Sequence, residues 1–276
     1  MKFEKMIGFG VAGNFAGHLE QAGEAKDFLQ VKVQEEIQPK AIFPFYVPAD
    51  DAGFLATYPL SSSTVVTPND ADNLQIEPEV ALICDIEYID NTVVGLYPRF
   101  FAAYNDCSIR KPNAKKISEK KNWGANTKGL SETLLAVDSL KMGGVLDSYR
   151  IASFHKRDGE IHRYGEDSPV SGYSYFHQKL LNWIMDRMNN QQDVGPTENI
   201  AQLLEKAQYP TQAVISIGAT RYTEYGETTF LQPGDTSIVV VYDAKLYTES
   251  EIEQMATSND FAQDGLSALV QTVVAG

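Results

Sequence analysis

The chain has 276 residues, 43% of them hydrophobic, and a formal net charge of -14. This acidic balance argues against binding to nucleic acid or to anionic lipid, and no stretch approaches the roughly 18 uninterrupted apolar residues of a membrane-spanning helix. Two cysteines are too few for a disulfide framework, and residues 1–25 show no secretory hydrophobic region, so we expect a cytoplasmic protein.

Near the start of the chain, Gly8, Gly10 and Gly13 have the G-x-G-x-x-G spacing of a dinucleotide-binding turn. That turn needs a buried strand before it and an acidic residue about 20 positions later. The preceding run, 3–7, is short and carries two charges, and three prolines interrupt the extended stretches that follow. A lone triple-glycine match is weak evidence. We therefore interpret the segment as a flexible approach to a lid rather than as a phosphate cradle.

Strand signals dominate the rest of the chain. Runs rich in β-branched and aromatic residues predict strands at 28–33, 79–89, 148–156, 213–219 and 236–247. Apolar residues at three- and four-residue steps predict helices over 173–188 and 198–207. The expected fold class is α+β and β-rich, a single domain with a few peripheral helices rather than an alternating βαβ array.

The stretch QIEPEVALICDIEY carries the clearest chemical pattern. In an extended chain Glu77 and Glu79 point from the same face. Two adjacent carboxylates repel each other, so one of them must hold a proton or a cation must lie between them. Pro78 fits the start of a strand, and the apolar run after it places the pair at the mouth of a buried sheet. A hard divalent cation fits such a pair, and a solvated strand face is the alternative.

A basic segment follows this strand. Asp106 comes after a second apolar run and could supply a third oxygen ligand from a neighbouring strand end. The lysines and the arginine around it form either a solvated loop or a collar that attracts an anionic substrate toward a metal. In the second interpretation Arg110 and Lys128 matter most. The basic residues are Arg110, Lys111, Lys115, Lys116, Lys120, Lys121 and Lys128, with Glu119 as the only acid among them.

Five motifs in a fixed order resemble the fumarylacetoacetate hydrolase superfamily. The order and spacing agree over most of residues 7–243, which leaves 249–276 as a C-terminal extension. The resemblance implies an FAH-like mixed β-roll or sandwich in one domain, 1–276, usually as a homodimer. The motifs are Asn14-Phe15-Ala16-Gly17-His18, Glu77-Pro78-Glu79, Asn105-Asp106-Cys107-Ser108-Ile109-Arg110, Lys128-Gly129 and Pro233-Gly234-Asp235.

The resemblance also implies an activity, that of a metal-dependent hydrolase or lyase. Its substrate would be a small anionic 2-oxo acid or 1,3-dicarbonyl compound, changed by carbon–carbon bond hydrolysis, decarboxylation or isomerisation through a metal-stabilised enolate. His18 would be the general base and Lys128 would stabilise the oxyanion. Mg²⁺, or Ca²⁺ or Mn²⁺, would be held by Glu77, Glu79 and Asp106. Substrate binding would fall to Asn14, Arg110 and Thr220.

One departure from the family pattern bears on this activity. Relatives with hydrolytic or decarboxylating activity often carry a glutamate three positions after the histidine, where it orients the ring, and this chain has Gln21. Glu20, which we assign as a catalytic residue, or Glu24 could substitute for it. The absent glutamate is also compatible with a non-catalytic or regulatory protein that keeps the fold and binds a small anionic ligand.

Overall fold

Two β-sheets, flanked by short helices, build the part of the chain that the structure describes. The structure is a computed structural model, and it describes residues 1–29, 31, 33–110 and 114–276. Its strands are β1 Ile7–Ala12, β2 Ala41–Tyr46, β3 Leu60–Ser61, β4 Thr64–Val66, β5 Leu74–Gln75, β6 Pro78–Ile89, β7 Thr92–Asn105, β8 Ser108–Ile109, β9 Lys128–Leu130, β10 Leu135–Ala136, β11 Tyr149–Arg157, β12 Glu160–Pro169, β13 Gln212–Ser216, β14 Thr236–Asp243 and β15 Leu266–Val274. The α-helices are α1 His18–Gln21, α2 His177–Asn190, α3 Ile200–Lys206, α4 Glu224–Thr228 and α5 Glu249–Ser258.

The larger sheet has eight strands in the order β2-β1-β13-β6-β7-β9-β3, with β10 paired to β7. The second sheet has the order β12-β11-β14-β15-β4, and β5 pairs with β8 as a separate ribbon. Both parallel and antiparallel pairs occur, since β1 runs parallel to β13 whereas β6 runs antiparallel to both β13 and β7. This β-rich, mixed arrangement confirms the predicted fold class. Within the described residues, no helix has the length and apolar character needed to cross a bilayer.

The two sheets share one apolar core. Leu82 and Phe101 from the larger sheet lie in the same buried cluster as Ile151 and Val239 from the second sheet. The Phe101 ring meets the Tyr149 ring edge to face, with centroids 4.9 Å apart. Because strands β6 and β14 are covered over most of their length, their sequences read as continuous apolar runs rather than as an alternation.

Most of the predicted elements are confirmed, with bounds that differ by one to four residues. The predicted strands at 79–89, 148–156, 213–219 and 236–247 correspond to β6, β11, β13 and β14, and the predicted helices correspond to α2 and α3. Helix α2 begins later than predicted because Phe176 is still extended.

The strand predicted at 28–33 is wrong where the structure describes it. Ala25–Phe28 form a 3₁₀ helix whose Phe28 is buried against Leu19 and Ala41. The apolar residue is therefore covered by a helical turn and needs no sheet. Residues 30 and 32 of that segment lie outside the described residues, as does Lys111 of the basic segment.

The segment 249–276, predicted as a C-terminal extension of the family core, supplies helix α5 and a strand of the second sheet. Leu266–Val274 forms strand β15, which hydrogen-bonds to β14 on one side and to β4 on the other. Its buried Leu269 and Val273 belong to the main core, so the second sheet depends on this strand. The predictions of one domain over 1–276 and of a homodimer stay predictions.

The first two glycines of the motif near the start of the chain, Gly8 and Gly10, are needed for close packing. Gly8 and Gly10 lie within β1, where a Cβ would come within 2.3 Å of the Phe45 ring and 2.2 Å of the Phe43 ring, respectively. These two glycines let aromatic rings of β2 lie flat on β1, so the interpretation as a flexible approach is wrong for them. Gly13, by contrast, has a φ of +73°, which the turn after the strand requires.

Replacing Gly10 by alanine should therefore destabilise the protein. The added methyl group overlaps the Phe43 ring, and overpacking of this kind costs about 1–3 kcal/mol. Urea unfolding followed by fluorescence would measure the loss. Gly172→Ala is the matched control, because the nearest atom to its Cβ lies at an ordinary 3.5 Å. Equal losses in the two variants would contradict the packing explanation.

Candidate metal centre and active site

Strand ends from four parts of the chain meet at one edge of the larger sheet. Because β1 is parallel to β13, and β13 and β7 are antiparallel to β6, the carboxyl ends of β1, β13 and β7 meet the start of β6. Pro78, the first residue of β6, pairs with Asn105, the last residue of β7. This register places Glu77 and Glu79 next to Asp106, which confirms the expectation that a neighbouring strand end lies beside the E-x-E pair.

The three carboxylates form a buried group. The exposed fractions are 3% for Glu77, 2% for Glu79 and 0% for Asp106. One oxygen from each can be chosen so that all three lie within 4.8 Å of one another. The backbone helps to fix them, since Gly218 N donates to Glu79 Oε2 over 2.8 Å and Asp106 N donates to Glu77 O over 3.0 Å. A group of three such oxygen donors can hold a hard divalent cation.

Lys121 is the basic residue that reaches this group. Its Nζ lies 2.6 Å from Glu77 Oε2 and 2.5 Å from Asp106 Oδ2, and it donates to Ser108 Oγ over 2.6 Å. The sequence placed Lys121 only among the residues of a basic collar. No local signal distinguishes it from Lys120, because its position depends on the 3₁₀ helix Ile117–Lys120 that precedes it.

Arg110 links the carboxylates to a second acidic residue, Glu24. Its Nη1 lies 2.8 Å from Glu77 Oε1 and 3.0 Å from Glu24 Oε1, and its Nη2 donates to the Tyr222 hydroxyl over 2.6 Å. Lys120 also binds Glu24, over 2.9 Å. The predicted substrate ligand Arg110 is thus engaged with the protein's own carboxylates, and its predicted role stays a prediction.

The buried charges shift the proton affinities of the acids in opposite directions. Burial alone would raise the pKa of Glu77, but Lys121 and Arg110 outweigh it and hold that pKa well below its usual range. Burial, Asp106 and Glu77 together raise the pKa of Glu79 well above its usual range. Without a further cation, these shifts favour the ionised form of Glu77 and the protonated form of Glu79.

Burial opposes the charge of Lys121, yet the carboxylates of Asp106 and Glu77 outweigh that effect and raise its pKa. For Lys128 the balance is reversed, and burial lowers the pKa despite the nearby Asp106. The pKa of Asp106 is raised by its burial, which the two lysines offset only in part. Lys121 is accordingly the ammonium that neutralises the carboxylate group.

His18, the predicted general base, lies at this site. It begins helix α1 and is buried, and its Nε2 is 3.8 Å from Glu77 Oε1. Its Nδ1 is buried without a hydrogen-bond partner among the described residues. The imidazole therefore turns Nε2 toward Glu77, and its Nδ1 is available for a further hydrogen bond.

The position that carries a glutamate in many relatives has a different task here. The Gln21 side chain donates to Tyr222 O over 3.1 Å and accepts from Tyr222 N over 2.8 Å, which fastens α1 to the loop after β13. Glu24 is buried within the cluster, whereas Glu20 is exposed and its carboxylate makes no hydrogen bond or ion pair in the described parts of the chain. The geometry favours Glu24 over the assigned Glu20 as a replacement.

The side chains of Lys128 and Asn14 form hydrogen bonds to backbone groups of neighbouring segments. Lys128 is fully buried, and its Nζ donates to Asp106 O over 2.9 Å and also to Cys107 O. It lies 3.5 Å from Asp106 Oδ1, on the turn rather than in the cavity. Asn14 uses its whole amide on backbone, donating to Tyr175 O and Ile217 O and accepting from Tyr175 N. These contacts account for both side chains structurally, and their predicted catalytic and substrate-binding roles remain untested.

Thr220 is also buried beside the site. Its N donates to Pro78 O over 3.2 Å, and its hydroxyl has no hydrogen-bond partner among the described residues. It is therefore the one predicted substrate ligand whose side chain keeps unused hydrogen-bonding capacity in this arrangement.

The cavity above the carboxylates is small. Its volume is about 20 Å³, which is room for one water molecule. His18, Glu24, Phe43 and Lys121 line it together with the three carboxylates. Substrate-sized pockets are more than tenfold larger, so this cavity is too small for a substrate in the described conformation.

Comparison with solved structures identifies the fold. A crystal structure of Cg1458 with an inhibitor is 16% identical, with a TM-score of 0.57 over 98% of this chain and 77% of that one. A putative HpcE protein from Mycobacterium smegmatis is 16% identical, with a TM-score of 0.56 over 99% of this chain and 76% of that one. A 2-keto-3-deoxy-D-arabinonate dehydratase complexed with magnesium and 2,5-dioxopentanoate is 13% identical, with a TM-score of 0.53 over 98% and 73%.

No curated protein matches the sequence. A family of unknown function, DUF5718, matches residues 24–273, which include the three carboxylates, Lys121 and all but the last residue of strand β15. The structural neighbours confirm the resemblance to the fumarylacetoacetate hydrolase superfamily at the level of the fold. The chain belongs to the DUF5718 family of unknown function, and it has the fold of the fumarylacetoacetate hydrolase superfamily.

Proposed function

We propose that this protein is a divalent-metal-dependent hydrolase or lyase that acts on a small 2-oxo acid or 1,3-dicarbonyl compound. The observation that carries the proposal is the buried group of Glu77, Glu79 and Asp106, at a sheet edge where His18 also lies. Support comes from the fold, because one neighbour of the same fold is a dehydratase complexed with magnesium and an oxo acid.

The donor set fits a hard cation. Glu77, Glu79 and Asp106 would hold Mg²⁺, or Ca²⁺ or Mn²⁺ in its place. Both Asp106 oxygens are buried, and their side-chain contacts among the described residues are ion contacts to Lys121 and Lys128, so lone pairs remain for a cation. When bound, the cation would act as a Lewis acid on the substrate's oxygens.

The chain's own residues would supply the proton transfers. His18 is the general base that we propose, because its Nδ1 has no partner and neutral imidazole accepts a proton near pH 7. Glu77, 3.8 Å from Nε2, would stabilise the imidazolium that results. Arg110 and Lys120 hold Glu24 in the same cluster, so it can support the ring only indirectly.

Substrate entry requires α1 to move. The cavity has room for only one water molecule, and Gln21 fastens α1 to Tyr222 with two hydrogen bonds. Gly13 and Gly17, with φ values of +73° and +83°, lie between β1 and α1, and glycine gives this part of the chain conformational freedom. We propose that 13–24 acts as the lid of the site.

One observation favours the alternative, a non-catalytic protein that binds a small anion. Lys121 already neutralises two of the three carboxylates, as a cation would. In that case an anionic ligand would bind the basic residues and no turnover would follow.

The decisive experiment compares Glu79→Gln with the wild type. We expect calorimetry to show Mn²⁺ or Mg²⁺ binding by the wild type and a loss of roughly 100-fold in affinity in the variant, because one of three charged ligands is removed. Glu87→Gln is the matched control, since Glu87 lies on the same strand but is exposed.

Turnover separates the two functions. We expect the metal-loaded wild type to convert at least one member of a panel of acylpyruvates and oxaloacetate, and His18→Ala to abolish the conversion. Unchanged metal affinity in Glu79→Gln would overturn the metal centre. Metal binding without turnover of any panel member would favour the binding protein.

A further inference from the structure

Lys121 binds two of the carboxylates that a bound cation would need. Its Nζ lies 2.6 Å from Glu77 Oε2 and 2.5 Å from Asp106 Oδ2, and these carboxylates belong to the candidate metal group. A divalent cation and an ammonium cannot both lie at contact distance from the same oxygens, because their repulsion in a buried site is large. Binding of one therefore requires the other to leave.

The charges of the cluster lead to the same conclusion. The site brings together four acids and four bases, so it holds at least as many cationic as anionic side chains before any metal binds. An added divalent cation would leave an excess of buried positive charge, which is costly unless a resident charge is removed. The acids are Glu24, Glu77, Glu79 and Asp106, and the bases are Arg110, Lys120, Lys121 and Lys128.

The four bases differ in what holds them. Arg110 has four side-chain partners, among them Glu24 and Tyr222. Lys128 is fixed by two backbone carbonyls behind Asp106. Lys120 contacts Glu24 and Asp27, outside the metal group. Among the described residues, Lys121 alone contacts two of the candidate ligand carboxylates, so it is the base whose displacement would open the group to a metal.

We propose that Lys121 is an exchangeable counter-cation of this centre. Its ammonium neutralises Glu77 and Asp106 when no metal is bound and leaves them when a divalent cation binds. The proposal rests on the proposed metal-dependent function and adds a regulation of the same site. The Lys121 ammonium thereby stabilises the metal-free protein. It also makes the affinity for a metal lower than the affinity that the three carboxylates alone would give.

The test compares Lys121→Met with Lys120→Met in metal-stripped protein. The first variant removes the competing ammonium and keeps the stem, and the second removes an equally buried ammonium outside the metal group. We expect Lys121→Met to bind Mn²⁺ at least about tenfold more tightly in calorimetry. Its melting temperature should be lower than that of the wild type in EDTA and should rise more on addition of Mn²⁺. Lys120→Met should bind Mn²⁺ as the wild type does.

Lys121→Gln provides a second variant if Lys121→Met does not fold without metal, because an amide can still donate to the carboxylates and to Ser108. Mn²⁺ affinity equal to or weaker than that of the wild type in the folded variant would overturn the exchange and leave the metal centre standing. No Mn²⁺ binding by any of these proteins would overturn both. Tighter binding in the Lys121 variants, with no turnover of the oxo acid panel, would support the exchange and count against the proposed activity alone.

Discussion

Arg110→Met is expected to lower the free energy of unfolding by about 3–5 kcal/mol. The guanidinium is 11% exposed and lies between two carboxylates, those of Glu24 and Glu77, which are 10% and 3% exposed. The variant keeps much of the stem but removes one partner from each acid in a site that is largely closed to solvent. Breaking a buried ion pair costs more than the pair contributed, because the remaining charge stays desolvated. Urea unfolding at pH 7 would measure the loss.

An exposed arginine provides the control for this prediction. Arg99 forms a comparable ion pair, 2.7 Å from Asp85, but its side chain is 60% exposed. Arg99→Met should cost less than about 1 kcal/mol, since surface pairs contribute little. Addition of Glu24→Gln to Arg110→Met should recover part of the loss by removing one of the two buried charges that the guanidinium had neutralised. Similar losses from the two arginine substitutions would contradict a stabilising role for the buried cluster.

The carboxylate group could be predicted from the sequence because its geometry is mostly local. Glu77 and Glu79 flank the first residue of an apolar strand, and a strand places alternate residues on one face. Asp106 directly follows the antiparallel partner β7, whose end lies opposite the start of β6. A hairpin of two long apolar strands is enough to bring these acids together.

The lysine could not be predicted in the same way. Lys121 and Lys128 both follow Asp106 in one basic segment, and the family resemblance favoured Lys128. Which ammonium reaches the carboxylates depends on the 3₁₀ helix Ile117–Lys120 and on the burial of Lys128 behind the turn at Asp106. These are tertiary contacts, and no periodicity in the segment encodes them.

The same limit applies to the residues around the lid. Asn14 bonds to backbone 161 and 203 positions away, and Gln21 to backbone 201 positions away. Their amides could equally have served a ligand, and only the packing of β1 against β13 assigns them to backbone. A polar residue in a motif therefore indicates where the site lies, but the group that its side chain binds depends on tertiary contacts that the sequence does not reveal.

Glu198→Gln is expected to stabilise the protein at pH 8 by on the order of 2–3 kcal/mol, and to have little effect at pH 4. Both carboxylate oxygens of Glu198 are buried, and neither has a hydrogen-bond partner in good geometry among the described residues. Burial raises the pKa of Glu198 from its ordinary 4.5 to about 7, and Ser118 and Lys116 offset only part of that rise. The folded protein therefore keeps a proton on this carboxyl that the unfolded chain releases near pH 4.5.

The sign of the pH dependence follows from that difference. Between about pH 4.5 and 7 the folded state binds more protons at Glu198 than the unfolded state, so stability falls as pH rises and levels off above pH 7. Glutamine cannot ionise, so the variant avoids this loss, and urea unfolding from pH 4 to 8 should show its advantage growing with pH. Glu205→Gln, exposed on helix α3, is the matched control and should leave the curve unchanged. An advantage of Glu198→Gln that is constant across this range would show that the substitution acts through packing and not through the buried proton.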